Sequence, residues 1–185
     1  MMAVRSKTSP IDPPQRSNLI HIRPMRQDDL DQVITIDRAS FSLPWPESSY
    51  RYELLENPHS LLMVAEAEAP DGEKQVVGAV VVWLLEDEAH IATLAIHPEY
   101  RGRGISQELL ATVLARSIRG GARIATLEVR ANNQIAHALY RRFGFEVVGR
   151  RLRYYLDNNE DALIMTADGL DERYLEWLES KGWRK

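Results

Sequence analysis

The chain has 185 residues, 44% of them hydrophobic and 27% charged, the balance of one soluble globular domain of ordinary size. A formal net charge of −4 gives no global basic field for nucleic acid, and no apolar run reaches the length of about 18 residues that a membrane span needs. Cysteine is absent, which removes disulfides, thiolate metal sites and an acyl-cysteine intermediate.

Residues 1–18, MMAVRSKTSPIDPPQRSN, lack the continuous apolar stretch of a secretory signal. Their Pro and Ser content predicts a disordered arm, and a cytoplasmic protein is expected. LIHIRPM (19–25) alternates as a strand. RQDDLDQVITIDRASF (26–41) sets Leu30, Val33, Ile34 and Asp37 at helical spacing, with Asp28 or Asp29 in a first turn that suits the helix dipole. SLPWPESS interrupts this with two prolines around a tryptophan, and a second helix is expected from Ser48 to Leu55. LLMVAEAE (61–68) and VVGAVVVWLLE (76–86) read as strands joined by the turn APDGEK, and AHIATLAIH (89–97) as a third strand ended by Pro98.

YRGRG (100–104) then leads into a helix of about 105–119, with Ile105, Leu109, Leu110, Val113 and Leu114 apolar and Gly120-Gly121 as its stop. ARIATLEVR (122–130) is another strand. NNQIAHALYRRF (132–143) is a helix with Ile135, Leu139 and Phe143 on one stripe, Asn132 or Asn133 as cap, and Gly144 at C′. FEVVGRR, RYYL and ALIMTA, around DNNED, form a closing hairpin. The order predicts a mixed α/β domain whose helix 105–119 crosses between strands 91–96 and 123–129.

The basic turn between strand and helix allows two readings. Unpaired N–H groups at a helix start bind phosphate, glycine lets a large anion approach, and Arg101 and Arg103 add charge. The alternative is a plain turn with solvated arginines. A Walker loop is excluded, since GRGIS has no Gly-Lys-Ser/Thr, and the preceding meander does not suit a dinucleotide fold.

Arg101-Gly102-Arg103-Gly104-Ile105-Ser106 resembles the acetyl-CoA turn of the GNAT superfamily of N-acetyltransferases, Arg/Gln-x-x-Gly-x-Gly/Ala, with Ser106 in place of the last small residue. LEVRANNQIAHALYRRFGF (127–145) is similar to the signature of its bacterial ribosomal-protein-alanine N-acetyltransferases. The resemblance covers about residues 19–168 and implies the GNAT fold, a central, mostly antiparallel twisted sheet with flanking helices. It implies acetyl-CoA as co-substrate, a protein N-terminus (alanine, on a small-subunit ribosomal protein) as acceptor, and direct transfer in a ternary complex; the alternatives are a lysine or small-amine N-acetyltransferase on the same fold and a non-catalytic acyl-CoA-sensing regulator.

The same resemblance implies a donor site of Leu94, Ala95 and Ile96 through their main chain, the turn from Arg101 to Gln107 (Gly102, Arg103, Gly104, Ile105 and Ser106 between them), and Asn133. It makes Glu128 the general base and Tyr140 the general acid. Asn133 and Tyr140 are two helical turns apart and can share a face, though Asn133 also suits a simple cap. Phe41 and Trp45, in FSLPWP (41–46), match the loop beside the acceptor; Trp45 either stacks on substrate or pins the loop. Arg141, Arg142, Arg150, Arg151 and Arg153 form a solvated face or a contact for the CoA 3′-phosphate or RNA. His90 and His97 have no metal spacing, and no metal is expected. Residues 169–185 place Leu170, Tyr174, Trp177 and Leu178 on one stripe, which packs on its own domain or on a partner.

Overall fold

In a computed structural model of the chain, residues 19–68 and 72–183 are described; the arm expected over 1–18 lies outside them. The elements in order are β1 (Ile20–Pro24), α1 (Leu30–Ser40), α2 (Glu47–Leu55), β2 (Ser60–Glu68), β3 (Lys74–Leu85), β4 (Glu88–Ile96), α3 (Ile105–Arg119), β5 (Ile124–Arg130), α4 (Gln134–Arg142), β6 (Glu146–Tyr155), β7 (Glu160–Ala167) and α5 (Glu172–Ser180). The described strands form one sheet in the order β1-β2-β3-β4-β5-β7-β6. Only β4 and β5 run parallel; every other pair is antiparallel. The parallel pair is the one joined through α3, because a parallel connection needs a crossover while hairpins serve the rest.

Two apolar layers cover the sheet. The larger core joins α3 and the α5 region to one face, through Leu109, Leu110, Val113 and Leu114 against Met63, Val80, Ile91 and Leu127. The smaller core seats α1 and α2 on the other face, through Val33, Ile34, Ile36 and Tyr50 against Leu62, Val64, Ala79 and Val81. β4 changes face part-way. Val81 pairs with Thr93 and Val82 with Ile91, so Ala92 is a bulge. Before it Ala89 and Ile91 enter the larger core; after it Leu94 and Ile96 do so, and Ala95 turns to the smaller one.

One expected stripe is corrected. Ile135 is 87% exposed, and α4 turns His137 and Tyr140 inward, with Phe143 just beyond its last turn. The helix runs from Gln134, capped by Asn133, and its inward row passes through His137 and Tyr140 at i, i+3, which leaves Ile135 on the solvent side. Residues 169–183 are built into the larger core: Leu170 and Leu178 are fully buried, and Trp183 stacks on Phe143 at 4.3 Å. The Tyr174 hydroxyl donates to the Phe143 carbonyl at 2.6 Å.

Candidate active site

The β4–β5 ladder is short. Glu88, Ala89 and His90 pair with Ile124, Ala125 and Thr126, and there it ends. Beyond His90, β4 keeps only its β3 partners and β5 only its β7 partners. The strands therefore part, and the sheet opens beside Leu94, Ala95 and Ile96, whose outer main-chain edge pairs with no strand among the described residues. Leu94 and Ile96 are half-buried against the larger core, so the side chains of this segment pack while its backbone lines the opening.

The glycine turn stands where β4 leaves the opening. Gly104 is the N-cap of α3 at φ +79°, and Gly102 lies at φ +75°, a region costly for residues with a Cβ. Gly104 O accepts from the N–H groups of Gln107 and Glu108 at 3.1 and 3.2 Å. No main-chain acceptor among the described residues takes the N–H groups of Ile105 or Ser106. That leaves donors and the positive end of a 15-residue helix at the turn, a suitable seat for a pyrophosphate. The arginines do something the sequence did not suggest. Arg101 donates to Ile96 O at 3.1 Å and Ser40 Oγ at 3.0 Å, tying the turn to β4 and α1. Arg103 donates to Glu99 O at 3.0 Å and covers the Tyr100 ring. Both brace the turn.

Glu128 and Tyr140 belong to opposite faces of the sheet. Leu127 and Val129 enter the larger core together with Tyr140, so alternation along β5 turns Glu128 to the α1–α2 side. There its carboxylate meets Arg151 at 2.9 Å and His90 at 3.3 Å. Tyr140 is 8% exposed and lies 5.7 Å from the Phe145 ring. Burial, and secondly the nearby Tyr155, hold its hydroxyl well above the ordinary phenol range, so it stays protonated. Asn133 caps α4 by accepting from Ala136 N–H at 3.1 Å, which leaves its amide nitrogen to donate elsewhere.

The loop after α1 is pinned. Asp37, 1% exposed, accepts from the Trp45 N–H and the Tyr50 hydroxyl, each at 2.7 Å. Trp45 stacks on Trp83, while Phe41 stays 38% exposed beside it in sequence. Ser42 donates to Asp157, and Arg130 bonds Ser42 at 2.9 Å, Asp157 at 2.8 Å and Glu160 at 3.1 Å. This clasp joins the α1–α2 loop to the β6–β7 turn across the end of β5. Arg130, Ser42 and Asp157 were missed in the sequence because they lie 27 to 115 positions apart. Of the arginine cluster, Arg150 pairs with Asp161 and Arg151 with Glu128, so acids consume part of the face expected to be solvated. Among the described residues no group of three or more His, Cys, Asp or Glu is gathered for a metal ion.

A mostly antiparallel sheet, split between its one parallel pair and carrying a glycine turn at the split, is the frame of a protein that seats a phosphorylated carrier. The chain belongs to the acetyltransferase (GNAT) family, whose pattern matches residues 30–145, and it is an N-acetyltransferase that uses acetyl-CoA. A Bacillus subtilis protein provisionally named ribosomal protein bS18-alanine N-acetyltransferase is 41% identical over 78% of this chain and 92% of its own length. The Mycobacterium tuberculosis N-alpha-acetyltransferase RimI is 37% identical over 69% of this chain and 78% of its own. The crystal structure of the Escherichia coli ribosomal-protein-S18-alanine N-acetyltransferase matches with TM-score 0.72 and 26% identity over 81% of this chain and 94% of that one.

Proposed function

We propose that the enzyme acetylates the N-terminal α-amine of a protein, an alanine of small-subunit ribosomal protein bS18, by direct transfer from acetyl-CoA. The observation that carries this is the parting of β4 and β5 after His90 and Thr126, which opens the sheet between a pinned α1–α2 loop and the glycine turn. The names of the relatives support the α-amine and the alanine.

Acetyl-CoA supplies the activated acetyl group as its thioester. The N–H groups between Gly102 and Ser106 would receive the pyrophosphate, and the open edge of Leu94, Ala95 and Ile96 would orient the donor arm with help from Asn133. Glu128 takes the proton from the acceptor amine through water. An α-amine, with a pKa of about 7.7–8.0 against about 10.4 for lysine, asks little of such a base. Tyr140 gives its proton to the departing sulfur. Phe41 and the loop pinned by Trp45 confine the first acceptor residue, so a small side chain fits. With no cysteine in the chain, transfer needs no acyl-cysteine stage.

Incubation with acetyl-CoA and a peptide panel, with mass spectrometry to locate the acetyl group, tests the reading. A peptide that begins with Ala should be acetylated on its α-amine. The same peptide beginning with Trp, or blocked at its N-terminus with an internal lysine free, should react at least about tenfold more slowly, a discrimination of about 1.4 kcal/mol. Preference for the internal lysine overturns it.

A further inference from the structure

A stack of rings runs from the acceptor loop to Glu128. Trp45 lies on Trp83 at 6.1 Å and 18°, and Trp83 on His90 at 5.3 Å and 12°. Each ring is anchored separately. Asp37 holds the backbone of Trp45, and the Trp83 Nε1–H donates to Glu53 Oε2 at 3.0 Å. Both of these acids are buried, one on α1 and one on α2. His90 closes the series, its Nε2 3.3 Å from Glu128 Oε2.

The register makes this contact unavoidable. His90 pairs with Thr126 in the last rung of the parallel ladder, and Glu128 is two residues on, so both side chains lie on one face at the point where the strands part. The two oxygens of Glu128 are then divided: Oε1 to Arg151 at 2.9 Å, Oε2 to His90. Glu88 lies 4.0 Å from Nδ1 on the same strand, and Tyr155 is within electrostatic reach of Glu128. Across the sheet the ring meets Trp83, its partner on β3.

The ring can turn its Nε2–H toward Oε2 and hold that oxygen in place while Arg151 holds the other. We infer that His90, held flat by Trp83, is a positioning residue for Glu128 that fixes the direction of its carboxylate. The inference rests on Glu128 serving as the base in the function proposed above.

The test is a double-mutant cycle on the full chain with acetyl-CoA and an Ala-initiated peptide, followed from pH 6 to 9. His90→Phe, which keeps a stacked ring and loses both nitrogens, should lower kcat about tenfold or more with both KM values little changed. His90→Gln keeps a donor that can reach Oε2, so it should recover most of the kcat that His90→Phe loses. Because His90 works through Glu128, the His90→Gln, Glu128→Gln double variant should be no slower than Glu128→Gln alone, within about twofold. Effects that multiply, or a His90→Gln variant as slow as His90→Phe, would overturn the inference. Should His90→Phe fail to fold, the cycle with His90→Gln decides alone. A wild type that acetylates only another acceptor sinks the proposed substrate but leaves the cycle to be run on that acceptor.

Discussion

Tyr140 has almost no access to water, and its phenol keeps its proton at any pH at which the protein would work. That suits a group proposed to give a proton to a departing thiolate and then regain it. Tyr140→Phe removes the oxygen and little else, so kcat should fall roughly 10²–10⁴-fold with the acetyl-CoA KM nearly unchanged. Single-turnover rates would check this, and a loss below about threefold would mean that the sulfur leaves without the phenol. Glu128 predicts a different signature. Solution deprotonates an α-amine above a pH of about 8, so Glu128→Gln should depress kcat/KM most near neutrality and least above pH 9. A uniform loss from pH 6.5 to 9.5 would make Glu128 a holder of substrate or water only.

At the scale of elements, the glycine turn and the β1–β2 edge carry separate predictions. Gly104→Glu puts a side chain on a residue at φ +79° and an anion at the mouth of α3, so CoA binding by calorimetry should be abolished. Unchanged affinity would remove the turn from the donor site. On the other side of the molecule Arg23 reaches Asp29 at 2.7 Å and Glu66 at 2.6 Å, joining β1 to β2 and to the start of α1. Burial alone would raise both carboxyls, but the Arg23 bonds outweigh it in each, aided by the Arg26 N–H at Asp29 and by Lys74 at Glu66, so both end below their ordinary values. A lowered folded value gives stability that is present above the unfolded value, about 4 for Asp and Glu, and lost as pH falls through the folded one. Urea midpoints from pH 7 to pH 2.5 should therefore drop more for the wild type than for Asp29→Asn. Equal slopes would mean that Asp29 does not titrate between the two states.

The same scale explains what could be read beforehand. Strands 61–68, 76–86 and 89–97 were legible because turn residues and β-branched runs are local signals, and so was a helix of about 105–119, since its apolar spacing and its glycines agree. The insertion of β7 between β5 and β6 was not, because strand order depends on pairing between remote segments. Ile135 was set on the wrong side because apolar spacing picked the row Ile135, Leu139 and Phe143, whereas the buried row runs through His137, Tyr140 and Phe143, two of which are polar residues. The turn, Glu128 and Tyr140 came from motif resemblance. His90 could not be joined to Glu128 until the β4–β5 register was known.

For the molecule as a whole, the question is what keeps α4 seated while the sheet beside it is split. β4 and β5 share only three rungs, so the larger core, more than the ladder, must hold the two halves together. Residues 169–183 supply part of it. Leu170 and Leu178 reach full burial, and Trp177 and Trp183 enclose the Phe143 ring just past the last turn of α4. Tyr174 hydrogen-bonds the Phe143 backbone, with Tyr140 one turn upstream. The tail therefore braces the helix that carries the proposed acid. Leu178→Ala should cost about 2–5 kcal/mol through the cavity it leaves, and lower the melting temperature on the order of 10 °C. Trp183→Ala removes a partly exposed cover and leaves the buried leucines in place, so it should cost less stability. It loosens Phe143 directly, however, and its kcat should fall by more than its melting temperature suggests. Measuring melting and kcat on the two variants separates the roles. Full activity in Trp183→Ala at a temperature where it stays folded would confine the tail to stability and free α4 from any need of it.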